Sequence, residues 1–183
     1  MEDWPFKVVQ VPHAEADDII GVLSKMTGRH IIVSGDEDFG QLHRHDVNQW
    51  SPVQKKMLKY DPVLHLREKI ITGDSGDGVP NILSPDDTFV TGQRQSPIRK
   101  VKIENWVKSD EPWKFSVDFT EDMKRNYTRN RVLIDLSFTP REMQEAIIVA
   151  SQVEPKTAGL NRAYDYCRKH SLRYILEHLT EFA

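Results

Sequence analysis

Apolar residues change their spacing near Pro62. Before it, short β-branched runs dominate, and FKVVQV (6–11) and HIIVS (30–34) read as buried strands. Between them, AEADDIIGVLSKMTG (14–28) sets Ala16, Ile19, Ile20, Leu23 and Met26 at helical spacing, with Gly28 as a stop. Strand, helix and strand in this order predict a βαβ unit with parallel strands. DVNQW (46–50) predicts a third strand, and KKML (55–58) a short hairpin strand beyond Ser51 and Pro52.

From Pro62 onward the period is helical. PVLHLREKII (62–71), PIRKVKIENWVKS (97–109), EDMKRNYTRNRVLIDL (121–136) and TPREMQEAIIVASQV (139–153) each predict a helix, the last with Thr139 as N-cap and Pro140 at the first helical position. LNRAYDYCRKH and LRYILEHL predict two more. Leu83 to Ser96, broken by Pro85, Asp86, Asp87 and Gly92, reads as a mobile loop or linker. The expected class is α/β: a parallel-sheet segment over 1–60 and a mostly helical segment over 61–183.

Composition sets the chain among water-soluble proteins of one domain, or one with an appendage. Of its 183 residues 38% are hydrophobic and 29% charged, and no apolar run approaches a membrane span. The N-terminus carries acids where an export signal needs bases, and the single Cys167 fits a reducing cytoplasm as a small apolar helix residue. The net charge of −3 hides a split. Residues 1–40 hold eight acids against three bases, whereas 91–131 hold ten bases against six acids, densest at RKVK (99–102).

Where the acids fall matters more than their number. The first predicted strand is followed by Glu15, Asp17 and Asp18, and the second by Asp36 and Asp38. In an open α/β sheet, ligands collect at this carboxyl edge. On the predicted helix, the core positions leave Glu15 and Asp18 on the opposite face and Asp17 at its border. Acids in a first helical turn are also ordinary as a solvated N-terminus. Five converging carboxylates would need cations, and oxygen-only ligands suit Mg²⁺ or Mn²⁺ rather than zinc. GDSGDGVP (73–80) is neither an EF-hand loop, having Gly76 and Gly78 where ligands belong, nor a phosphate-binding loop, lacking Gly-Lys-Ser/Thr. HRH (43–45) reads as exposed loop histidines, and the Tyr and Trp side chains as helix packing.

EADD (15–18), SGDEDF (34–39) and GDSGDGVP (73–80), in this order, resemble the second half of the 5′-nuclease (flap endonuclease) superfamily. The resemblance is nearest to phage ribonuclease H and extends through QWSPVQKK (49–56) and NRVLIDL (130–136). It implies part of a PIN-like nuclease core followed by a helix-three-turn-helix element that grips duplex backbone. It also implies Mg²⁺-dependent 5′ exonuclease and flap endonuclease activity that removes RNA primers and 5′ flaps during DNA replication. Two Mg²⁺ ions are implied, with Mn²⁺ as a substitute. By position, Glu15, Asp17 and Asp36 resemble the ligands of the catalytic ion. Asp38, Asp77 and Asp74 resemble those around the second, and Asp18 the fourth acid of the first motif. Lys100, Lys102, Lys124 and Arg125 are candidates for phosphate contacts, and Gly76 and Gly78 for close approach of backbone to DNA.

The implied partners are DNA and an RNA:DNA duplex with a 5′ flap or primer, and replication proteins such as a single-stranded DNA-binding protein or clamp. The implied place is the cytoplasm, that of an infected bacterium if the gene is a phage's. No Gly-x-Gly hairpin follows the last motif, so no potassium site is expected. The family's first strand, its acids and its basic arch have no counterpart in the sequence, so the chain is expected to begin inside the catalytic domain and to take a complementing N-terminal half polypeptide. The alternative is a DNA-binding remnant or split-gene subunit that does not cut alone. A phosphohydrolase of another D-x-D type fits less well, because Ser34 and Gly35 stand between the strand and Asp36.

Overall fold

A computed structural model describes residues 7–153 and 160–179. Two compact units form, Ser24–Thr139 and a second made of Met1–Leu23 with Pro140–Ala183. They cut the chain differently from the division at residue 60.

In the Ser24–Thr139 unit, β1 (His30–Val33), β2 (Val47–Ser51) and β3 (Lys56–Leu58) make one sheet in the order β1-β2-β3. β1 and β2 run parallel, with His30 opposite Val47 and Val33 opposite Trp50, and β3 returns antiparallel with Met57 opposite Trp50. Alternation explains which residues these are. Ile32, Val47, Gln49 and Ser51 turn inward and are buried, whereas Ile31 and Val33 are each 65% exposed. The connection from β1 to β2 carries a 3₁₀ helix, Glu37–Leu42, in place of a long crossover helix.

α2 (Pro62–Thr72) starts where Asp61 caps it, accepting from the amides of Val63 and Leu64 at 3.1 and 3.0 Å, with Pro62 in the first turn. Three turns follow, at 75–78, 82–83 and 86–92, before α3 (Lys100–Trp106). α4 (Glu121–Ile134) is capped by the Thr120 hydroxyl, which accepts from the Met123 amide at 3.2 Å. Ile70, Ile71, Ile82, Trp106, Met123 and Tyr127 form the core that α2, α3 and α4 share. The mixed class is the expected one, a small sheet followed by helices.

The other unit packs α1 (Ala16–Leu23) against α5 (Arg141–Gln152), with α6 (Leu160–Lys169) beside α7 (Arg173–Glu177). Val11, Val22 and Ile147 form its core, with Ile19, Leu23 and Met143 packed against it. Cys167 is buried in α6 as a free thiol. No helix among the described residues is long and apolar enough to cross a membrane.

Four expectations are corrected. Residues 7–11 form no strand, because Val11 satisfies its apolar surface against α1 and α5 rather than in a sheet; the βαβ unit therefore does not form, and residue 6 lies outside the described residues. The face α1 buries is Ile19, Val22 and Leu23, while Ala16 is exposed and Met26 lies beyond the helix at 41% exposure. Pro140, not Thr139, is the N-cap of α5, the Thr139 hydroxyl donating to the Leu136 carbonyl at 3.1 Å. Leu83 to Ser96 is no linker: Ser84 Oγ accepts from the Ser96 amide at 2.9 Å, Asn81 Nδ2 donates to the Ser96 carbonyl at 2.8 Å, and Thr88 is buried.

Buried amides on α4 hold the turns that follow α2. Asn130, fully buried, donates to the Ile70 and Pro80 carbonyls at 2.8 and 2.9 Å, and Asn126 to those of Ile82 and Ser84 at 3.0 and 3.2 Å. Asn130→Ala removes the side-chain donor of the Ile70 carbonyl and leaves the Pro80 carbonyl to Arg129 alone. We expect it to lower stability by about 2–4 kcal/mol, read as a fall in the urea midpoint without loss of helix content; a midpoint unchanged from wild type would refute this account.

Candidate metal centre

The sequence makes a carboxylate site in the Ser24–Thr139 unit from two turns that leave regular elements. The first leaves β1. Asp36 caps the 3₁₀ helix, accepting from the Asp38 amide at 3.0 Å, and its own amide donates to Ser34 Oγ at 3.1 Å. Gln49 on β2 clamps this turn from inside the sheet: fully buried, it donates to the Ser34 and Asp36 carbonyls at 2.9 and 2.6 Å. His43 Nε2 lies 3.1 Å from Gln49 Oε1 and holds the amide group in turn. His43 is thus a buried structural residue, not a loop histidine, while the side chain of His45 is 91% exposed.

The second turn leaves α2. Gly73 ends the helix at φ 72°, and a Cβ there would stand 2.4 Å from the Val79 carbonyl oxygen and 2.7 Å from the Asn81 nitrogen. Only glycine fits this approach. Asp74 and Val79 then exchange backbone hydrogen bonds at 2.8 and 2.7 Å, closing residues 74–79 into a small loop. Inside it, Asp74 Oδ1 accepts from the amides of Gly76 at 2.9 Å and Asp77 at 3.4 Å. Gly78 has φ 73° with open space around it, and Gly76 has none of that need.

The two turns meet. Asp38, Asp74 and Asp77 each offer one carboxylate oxygen, and the three oxygens lie within 4.8 Å of one another. Lys69, one turn before the end of α2, brings its ammonium against Asp38 and to 2.8 Å from Asp74 Oδ2. That contact, first, and the Gly76 and Asp77 amides hold the Asp74 carboxyl below its usual range, against the opposing effect of burial. Asp38 Oδ1 is closed off from solvent and makes no hydrogen bond of regular geometry, its counter-charge being the Lys69 ammonium. A divalent cation fits such a donor set: carboxylate oxygens only, converging, with a cationic head group already standing among them.

Asp17 and Asp18 lie in the first turn of α1, the Glu15 amide donating to Asp18 Oδ2 at 3.1 Å. On the basic side, Arg125 is 3.2 Å from Asp86 and Lys102 is 3.4 Å from Asp118. Lys124 sits 5.5 Å over the Trp113 ring, and the highly exposed Lys100 is 3.9 Å from Glu104. Aromatic packing holds for Trp106, Trp113 and Tyr127, but Tyr174 is 77% exposed. Lys69, Gln49 and Gly73 escaped the sequence reading. A polar residue at an inward strand position was the available signal for Gln49.

Residues 61–182 match the family model described as T4 RNase H, C terminal. The chain belongs to this family. The match begins at Asp61, the cap of α2, and takes in Asp74 and Asp77. Among solved structures, the T5 D15 protein co-crystallised with metal ions is similar, at 16% identity and a TM-score of 0.45, over 78% of this chain and 60% of that one. The chain thus spans about 60% of that protein's length. A search of curated proteins finds no match.

The turn after α2 is the most constrained backbone at the site. Gly73→Ala forces a left-handed φ on a residue with a Cβ and drives that Cβ into Val79 and Asn81. We expect a loss of about 2 kcal/mol or more in denaturant melts. In the same variant the amides of Gly76 and Asp77 should exchange faster with solvent; protection equal to wild type would show that the turn does not need its glycine.

Proposed function

We propose that the protein is a divalent-metal-dependent nuclease of the 5′-nuclease class, hydrolysing phosphodiesters in RNA primers and 5′ flaps on DNA during replication. The observation that carries the reading is the meeting of Asp38 with Asp74 and Asp77 in a member of the T4 RNase H family. Asp38, Asp74 and Asp77 would hold one ion, and Glu15, Asp17, Asp18 and Asp36 are proposed as the acids of a second. Mg²⁺, or Mn²⁺ in its place, supplies when bound the activation of water and neutralisation of phosphate charge that such hydrolysis requires. The chain's own part is placement. Gln49 fixes the turn that carries Asp36 and Asp38, Gly73 aims the one that carries Asp74 and Asp77, and the basic stretch around α3 and α4 meets the duplex backbone. Lys100, Lys102, Lys124 and Arg125 are proposed for that contact, Arg125 after exchanging Asp86 for phosphate. The backbone at Gly76 and Gly78 is proposed to approach nucleic acid. A complementing N-terminal polypeptide is proposed as a partner in cleavage.

A second reading, a duplex-binding subunit that does not cut, is favoured by β1. Among the described residues β1 pairs on one side only, and Ile31 and Val33 are exposed on it.

One assay separates the two. A 5′-flap duplex and an RNA:DNA hybrid are incubated with Mg²⁺ and the chain, alone and with an N-terminal segment of a family nuclease. We expect Mg²⁺-dependent cleavage in the mixture, falling at least about 100-fold in Asp38→Asn or Asp77→Asn, with duplex affinity nearly unchanged and steeply weakened by salt. Cleavage that survives both substitutions sinks the assignment of these carboxylates as the metal site; salt-sensitive binding with no cleavage in any mixture sinks the nuclease reading and leaves the subunit.

A further inference from the structure

We propose that Lys69 is the resident cation of the carboxylate site: it holds Asp38 and Asp74 together before a metal arrives and must leave for the metal to bind, so that it sets the site's metal affinity. The inference rests on the metal-binding reading of these acids. Both oxygens of Asp74 are already engaged. Oδ1 accepts from the Gly76 and Asp77 amides inside the closed loop, and Oδ2 accepts from the Lys69 ammonium at 2.8 Å. On Asp38, the oxygen with no regular hydrogen bond is the one that faces Lys69. The ammonium thus occupies one oxygen on each of two of the three site acids.

Position and chemistry suit lysine to this part. It stands in the last turn of α2, where the helix favours a cation, and its side chain is only 18% exposed, against 17% for Asp38 and 21% for Asp74. An ammonium is a compact charge on a flexible four-carbon stem, able to swing aside without moving α2, whereas a guanidinium would lock two carboxylates in a planar fork. Two cations cannot share these oxygens, so Lys69 and the metal exclude each other, and the coupling between them is negative. Lys69 is a positioning residue here.

The test compares wild type, Lys69→Met and Lys69→Arg for Mn²⁺ binding by calorimetry and for melting with and without Mn²⁺. Lys69→Met should bind Mn²⁺ at least about fivefold more tightly, melt lower than wild type without metal, and gain more in melting temperature when Mn²⁺ is added. Lys69→Arg should restore the metal-free melt and bind Mn²⁺ no better than wild type. If Lys69→Met does not fold without metal, it must fold when Mn²⁺ is supplied; a chain that stays unfolded overturns the proposal. Wild type and Lys69→Met binding Mn²⁺ equally well would overturn it while leaving the metal reading intact. If neither binds Mn²⁺, the metal reading itself falls.

Discussion

Like charge is the constraint around which the Ser24–Thr139 unit is organised. Three carboxylates with oxygens within 4.8 Å of one another repel by roughly 3 kcal/mol per pair at an effective dielectric of 20. No single contact opposes this; rigid turns and one ammonium do. The Asp36 side chain and Gln49 fix the turn with Asp38, the closed loop from Asp74 to Val79 fixes the other, and Lys69 stands between them. A site that must release a cation and accept another has to keep its shape through the exchange, and backbone hydrogen bonds do not depend on which cation is present.

The same demand reaches α4. A helix that buries Asn126 and Asn130 gives up apolar contact at two core positions, which is costly unless each amide is satisfied. Here they donate to the Ile70, Pro80, Ile82 and Ser84 carbonyls. These carbonyls sit where α2 ends and where the chain leaves the GDSGDGVP loop, stretches without a helical ladder to satisfy them. Thus α4 replaces the missing ladder, and the loop that carries two of the three site acids is anchored from the core rather than from the surface. Arg129 adds a donor to the Pro80 carbonyl at 2.8 Å.

What the residues disclosed, and what they hid, follows from range. α2 was plain because its signals are local: Pro62 at its start and an apolar period after it. The hairpin of β2 and β3 was equally plain. The FKVVQV run misled because β-branched residues report burial as much as strand, and Val11 found its burial against helices. The acids of SGDEDF and GDSGDGVP stood out by composition, yet their meeting rests on Lys69, whose place among helical lysines looks like a solvated face. The inward Gln49 and the two α4 asparagines act over long sequence distances, where periodicity carries no information.

The family match covers α2 and the loop with Asp74 and Asp77 but leaves out Asp38, which lies before it. The carboxylate site is therefore assembled across the boundary of the matched segment. What joins the two sides is a packed contact rather than chain continuity: His65 on α2 lies with Nε2 2.7 Å from the Glu37 carbonyl, and Tyr60 packs its ring 4.5 Å from that of His65. Glu37 is the residue before Asp38, so the helix that delivers Lys69 and the Asp74 turn also sets the depth of Asp38. Separating the sheet-bearing part from the helical part would thus divide the site, even though each part keeps its own acids.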